Sequence, residues 1–314
     1  MGIPLLPTEE ITVRLFKTVL GDIPISELGI TLPHEHICCY SEYAYRMAGK
    51  DYLDKDALAD TATVYLKELK KKYGLATFVD CTPINIGRDV ELLKRISEQS
   101  EINIICSTGF YYTEEPVLYN ASAQLIAKYI VKDAENINAG IIKCAVENET
   151  ISDFNKKLLI ASAIAQKTLG LPIILHSNAN NENGIKALEI LLTEGVKPQA
   201  ITVGHLSDTE DLEYLLQVAQ TGCFIGFDRL YDNRYESYIS KTVDKITQLC
   251  NLGYADKILL SHDTLFYNGF EVNPAINDKP RLSYVFNYIL PRLPKEIVEK
   301  FMKENPIKML KYGE

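Results

Sequence analysis

Short apolar runs alternate with amphipathic stretches along almost the whole chain. Runs at 29–33, 76–81, 102–107, 140–145, 171–175, 200–204, 223–227 and 257–260 are rich in Ile, Val, Leu or Phe. That is the composition of parallel strands buried on both faces. Helical patterns lie between them. In 184–195, Ile185, Leu188, Leu191 and Leu192 fall on one stripe, and Gly195 supplies a C-terminal stop. In 211–222, Leu212, Leu215, Leu216 and Ala219 repeat the design ahead of Gly222. The later units recur every ~25–40 residues, the length of a βα unit. Eight such units with no boundary between them predict a single α/β domain, a (β/α)8 TIM barrel over 29–314, with 1–28 as an N-terminal extension packing on it. A doubly wound open sheet is the rival. It calls for a Gly-rich phosphate loop after an early strand, and the chain has none.

Composition narrows the function. Lys plus Arg is 33 and Asp plus Glu is 42, a formal charge of −9, which argues against a nucleic-acid binder. No run approaches the ~20 apolar residues that span a bilayer, and Glu9, Glu10, Arg14 and Lys17 interrupt any signal-peptide core. The seven cysteines are odd in number, form no CxxC pair and sit mostly in apolar runs, as expected of reduced thiols in a cytoplasmic protein.

All five histidines, His34, His36, His176, His205 and His262, fall at or just past the C-terminal end of a predicted strand, the edge where barrel enzymes carry their chemistry. In a strand, residues two apart share a face, so His34 and His36 can aim at one cation while Glu35 points outward. His176, His205 and Asp263 end three further strands. Imidazoles with a carboxylate suit Zn, Mn, Fe or Co rather than Ca or Mg. Four histidines and an aspartate exceed what one tetrahedral catalytic ion takes, and they fit two ions if something bridges them. Lys143, in the apolar run Ala-Gly-Ile-Ile-Lys-Cys-Ala, is placed to do so. A buried bare ammonium is costly and cannot ligate a cation, whereas reaction with CO₂ gives a carbamate with two anionic oxygens. The alternative is a lysine that reaches solvent or pairs with Asp80 or Glu147.

These motifs, in this order, resemble the phosphotriesterase-like branch of the amidohydrolase superfamily, including its lactonases. The resemblance runs from Thr18-Val19-Leu20-Gly21 and Thr31-Leu32-Pro33-His34-Glu35-His36 through Ala139-Gly140-Ile141-Ile142-Lys143, Leu175-His176-Ser177-Asn178 and Gly204-His205-Leu206-Ser207-Asp208. It ends with Phe224-Ile225-Gly226-Phe227-Asp228-Arg229, Ser261-His262-Asp263 and Asn305-Pro306. The resemblance implies two divalent transition-metal ions, zinc before manganese, cobalt or iron, bridged by carboxylated Lys143 and a hydroxide. His34, His36 and Asp263 would hold the more buried ion, and His176 and His205 the more exposed one. His262 would orient Asp263 or an incoming group without ligating metal.

The activity implied is hydrolysis of a small-molecule lactone, with weak organophosphate turnover. Asp263 would take the proton of the attacking water. Tyr111 and Arg229 match the places of a tyrosine and an arginine that flank the metal centre in the lactonases, and would position the substrate. Their alternatives are a packed aromatic and a salt bridge to Asp228 or Asp232. After the last strand, Phe266 and Tyr267 offer an acyl-chain lining, whereas Arg234, Lys279 and Arg281 would suit the phosphate of a sugar lactone. A phosphotriesterase or carboxylesterase on the same centre, and a non-catalytic metal-binding barrel, are the competing functions. Such enzymes often pair through an apolar flank, so a homodimer is the expected assembly.

Overall fold

The computed structural model describes residues 15–230 and 235–311. Its strands are β1 (Leu15–Thr18), β2 (Gly21–Pro24), β3 (Ile30–Cys39), β4 (Leu75–Asp80), β5 (Asn103–Gly109), β6 (Ile141–Ala145), β7 (Ile173–His176), β8 (Ile201–Val203), β9 (Phe224–Phe227), β10 (Ile258–Leu260) and β11 (Leu265–Asn268). The helices are α1 (Glu42–Ala48), α2 (Lys55–Tyr73), α3 (Val90–Ser100), α4 (Ala123–Ile137), α5 (Asp153–Leu169), α6 (Asn183–Thr193), α7 (Leu212–Gln220), α8 (Glu236–Asn251), α9 (Lys295–Glu299) and α10 (Asn305–Lys311).

Strands β3 to β11 form one parallel sheet in the order β10-β9-β8-β7-β6-β5-β4-β3-β11. The last two strands belong to one run of chain. β10 pairs with β9, the chain turns through 261–264, and β11 pairs with β3. At that junction Asp263 N–H donates to His34 O at 3.2 Å and His36 N–H to Thr264 O at 3.2 Å, so the sheet closes on itself as a (β/α)8 barrel. All eight expected strands are present, and each begins within two residues of its predicted start. β3 runs past the predicted end at 33 because β11, which the hydrophobic pattern did not reveal, pairs with 36–39 and extends it.

The strand period of two sorts side chains into two cores. Ile105, Ile141, Ile174, Phe224 and Leu259 fill the barrel interior, joined by Phe16, Leu28, Met309 and Leu310. Their neighbours Ile104, Ile142, Ile173, Ile225 and Ile258 face the helices. Phe16 comes from the β1–β2 hairpin, whose end is tied to β5 by Val19 N–H to Ile104 O at 2.9 Å. One step further up the same inward files lie Lys143 above Ile141, His176 above Ile174, and Asp228 above Phe224 and Gly226. The residues that close the barrel therefore also set the height of the polar cluster. Among the described residues no helix is long and apolar enough to cross a membrane.

Candidate metal centre

The four imidazoles His34, His36, His176 and His205, with Lys143 and Asp263, converge at the C-terminal mouth of the barrel. All four rings are almost completely buried. Each spends one ring nitrogen on an acceptor outside the cluster, which fixes what the other nitrogen can do. His34 Nδ1–H donates to Asp228 Oδ2 at 2.5 Å, and His205 Nδ1–H to Asp228 Oδ1 at 3.0 Å. His176 Nε2–H donates to Glu147 Oε2 at 2.8 Å. His36 Nδ1–H donates to Thr82 Oγ1 at 2.8 Å, and that hydroxyl donates onward to Cys38 O at 3.3 Å.

The remaining nitrogens are lone-pair acceptors turned toward one another. His205 Nε2 lies 2.6 Å from His176 Nδ1. His36 Nε2 lies 3.1 Å from Asp263 Oδ1, and His34 Nε2 lies 3.6 Å from the same oxygen. Acceptor facing acceptor is repulsive unless a proton or a metal cation sits between them. Outer carboxylates that fix the tautomer of inner imidazoles are the usual second layer of a metal site. The residues thus fit divalent metal, and His34, His36 and Asp263 come within reach of one ion as a set.

Burial, then the Lys143 charge, holds the His34 pKa down at about 4, so that ring is neutral and can ligate. Burial and the neighbouring His205 ring hold His176 well below the ordinary histidine range. For His36, burial is outweighed by the Cys39 sulfur and the Asp263 carboxylate, which push its pKa up to about 10, so without metal the ring carries both protons and must release the one on Nε2 to ligate a cation. Asp263 itself is half-buried, which would raise its pKa, yet the surrounding imidazoles keep it well below the usual carboxylate range.

Lys143 is about as buried as the barrel's apolar core and points at His34 Nε2 from 2.7 Å. Neither carboxylate considered as its partner takes that part. Asp80 accepts from the Ile37 and Thr82 N–H groups, and Glu147 accepts from His176 and Asn178.

Asp228 is the residue that sequence reasoning weighed only as a salt-bridge partner of Arg229. It instead accepts from both rings and from the His205 N–H at 2.6 Å. Two glycines make room for it. A Cβ on Gly226 would come within 2.8 Å of Asp228 Oδ2, and one on Gly204 within 3.0 Å. The signal was present in the alternation Phe224, Gly226, Asp228, which runs inward along β9.

Among the described residues Arg229 pairs with Asp263 and Asp208 and not with Asp228, while Asp232 lies outside the described residues. Its Nε donates to Asp263 Oδ2 at 2.9 Å and its Nη1 to Asp208 Oδ2 at 2.8 Å. The Tyr111 ring stands edge-on to His176 at 5.0 Å. Burial, reinforced by Tyr112, raises its phenol pKa, so the hydroxyl keeps its proton.

His262 differs from expectation. Its Nδ1–H donates to Glu35 Oε1 at 2.7 Å and its Nε2 accepts from Val285 N–H at 3.1 Å, so both ring nitrogens are spent away from the Asp263 carboxylate. Glu35 does point away from the metal cluster, yet it is fully buried.

The cluster opens into a cavity of about 320 Å³ lined by His36, Cys39, Ile86, Tyr111, Lys143, His176, Arg229, Asp263, Leu265, Asn268 and Phe270. Phe266 and Tyr267 do not line it. Pairing of β11 with β3 turns Phe266 under Tyr65 of α2 at 5.8 Å between ring centres, and the Tyr267 hydroxyl donates to Tyr52 O. Lys279 and Arg281 are exposed and also lie outside the lining, because the chain beyond β11 carries them away over the surface. Arg234 lies outside the described residues.

A closed barrel that gathers imidazoles, a lysine and an aspartate at the C-terminal ends of its strands is that of a metal-dependent hydrolase. The chain belongs to the phosphotriesterase family, whose model matches residues 14–310. Among its relatives is an aryldialkylphosphatase of Saccharolobus solfataricus, 32% identical over 304 residues that cover 91% of this chain and 96% of the relative. A phosphotriesterase homology protein of Mycobacterium tuberculosis is 29% identical over 313 residues, covering 92% and 95%. An N-acetyltaurine hydrolase of Xenopus tropicalis is 26% identical over 352 aligned positions, covering 94% and 97%.

Proposed function

We propose that the protein is a lactone hydrolase with a binuclear centre, most readily zinc, and weak organophosphate hydrolysis as a side activity. His34, His36 and Asp263 would hold one ion, His176 and His205 the other, with Lys143 as a carbamate between them. When bound, such ions lower the pKa of a water and polarise the scissile carbonyl. The chain's own groups do the rest. Asp263, kept ionised and held by Arg229, receives the proton of the attacking water. The Tyr111 hydroxyl, kept protonated by burial, donates to a substrate oxygen, and its ring walls the cavity beside His176.

The observation that carries the lactone reading is the lining of the cavity. Tyr111 and Arg229 flank Asp263, and the outer wall is Ile86, Leu265 and Phe270. That wall suits an alkyl or acyl chain. Among the described residues the lining cations are Lys143 and Arg229, both already committed to the centre, so none of these offers a spare basic group to a phosphorylated sugar lactone. Seven unpaired thiols, six of them buried, fit a reducing compartment such as the cytoplasm.

Kinetics on a panel test this reading. The panel holds aliphatic γ- and δ-lactones, acyl-homoserine lactones, phosphorylated aldonolactones, an aryl dialkyl phosphate and an N-acetyl amide. Each buried CH₂ is worth ~0.8 kcal/mol, so kcat/KM should climb several-fold per methylene in the lactone series until the cavity is full. Lys279→Ala and Arg281→Ala should change little. Flat chain-length dependence with a large loss on removing either basic residue would assign a phosphorylated lactone instead. Faster turnover of the phosphotriester or the amide than of any lactone would overturn the lactone reading and leave the metal centre standing.

A further inference from the structure

Glu35, the middle residue of the His34-Glu35-His36 motif, has no part in ligating metal, yet its carboxylate is fully buried and saturated. Oε1 accepts from Ser261 Oγ at 2.8 Å, His262 N–H at 2.9 Å and His262 Nδ1–H at 2.7 Å. Oε2 accepts from Thr264 N–H at 3.2 Å. Both backbone donors, His262 and Thr264, are the immediate neighbours of Asp263.

Asp263 itself has φ +52°. A residue with a Cβ is uncommon in that left-handed region, and although aspartate enters it more readily than most, it still gains from contacts that hold it there. A left-handed residue also turns the flanking N–H groups toward one side, making a concavity that favours an anion. The Glu35 carboxylate occupies that concavity. The Asp263 side chain leaves from the other side, toward His36 Nε2 at 3.1 Å and Arg229 Nε at 2.9 Å.

We propose that Glu35 is a positioning residue for metal binding and hydrolysis: by gripping the N–H groups on both sides of Asp263, its buried carboxylate imposes the left-handed backbone that turns the Asp263 carboxylate into the metal cluster. The negative charge matters as well as the shape. Three donors meet on Oε1, and a fourth on Oε2 would confront the NH₂ of an amide. His262 then carries the clamp outward to Val285 N–H.

The test uses full-length Glu35→Gln and Glu35→Asp proteins, loaded with zinc and challenged with a chelator. Ion release is followed together with kcat and KM on the best substrate, and with the melting temperature of the metal-free form. Loss of a group that orients a ligand typically costs about 10- to 100-fold in metal affinity or activity. Glu35→Gln should therefore release zinc at least about 10-fold faster and lose kcat to a similar degree, with KM changed far less. Glu35→Asp keeps the buried charge but is one methylene too short to reach both neighbours of Asp263. It should fall between wild type and Glu35→Gln, and it carries the test if the amide variant does not fold. Wild-type zinc release and kcat in a folded variant, even one whose metal-free form melts lower, would reduce Glu35 to a packing role and overturn the proposal. The zinc readout does not depend on which ester the enzyme cleaves.

Discussion

His176 Nδ1 and His205 Nε2 face each other at 2.6 Å, while Glu147 and Asp228 take the proton on the far side of each ring. Two ring nitrogens at that separation share either a proton or a metal cation, and the pair is expected to hold the more exposed ion. His176→Ala or His205→Ala should lower the metal content of purified protein and remove most hydrolysis. Elemental analysis of the purified variants checks this. Wild-type metal content in both would remove these rings from the ligand set.

Asp228 orients one ring from each end of the cluster, because its two oxygens serve His34 and His205 separately. Asp228→Asn keeps the volume but offers an NH₂ to one of those Nδ1–H donors. Metal affinity should fall about 10- to 100-fold, the cost of losing such an outer carboxylate. Zinc titration of the metal-free protein measures it.

Among the described residues Lys143 has no carboxylate partner, and it points at Nε2 of His34. Lys143→Ala should lose metal, and acetate or propionate should restore part of the activity by standing in for the carbamate oxygens. An atomic-resolution map of metal-loaded protein should show density one carbon beyond Nζ. An unmodified amine there would remove the bridge.

Away from the site, burial pushes the Cys106 and Cys223 thiols up from an ordinary 9.0 to about 12. An acid whose pKa is raised in the fold binds its proton more firmly there than in the unfolded chain. The associated stability is intact below about pH 9 and is lost as pH rises from there toward 12. The melting temperature should therefore fall between pH 9 and 11, and Cys223→Ala should flatten that fall. An unchanged melting temperature across this range would contradict it.

The strands were legible because both their faces are apolar, and the histidines and Asp263 now gathered at the barrel mouth because each sits at or just past the end of such a run. His34 and His36 could be placed on one face from spacing alone. What stayed hidden depends on where chain segments meet. β11 is four residues of mixed character, and only its pairing with β3 makes it a strand. That pairing is also why Phe266 and Tyr267 turn away from the cavity that Leu265 and Phe270 line. Glu35 and Asp228 looked like ordinary acids in sequence, since nothing local tells an outward carboxylate in solvent from one saturated by donors of a distant strand. Gly204 and Gly226 show no such reason in the local pattern, because what they make room for is the Asp228 carboxylate.

The most direct measurement is lactone hydrolysis by protein stripped of metal and titrated back with zinc. Hydrolysis should be absent in the stripped protein, rise with added zinc and level off at about two ions per chain, as a binuclear centre requires. Full activity in the stripped protein would contradict a metal-dependent lactonase built on these residues.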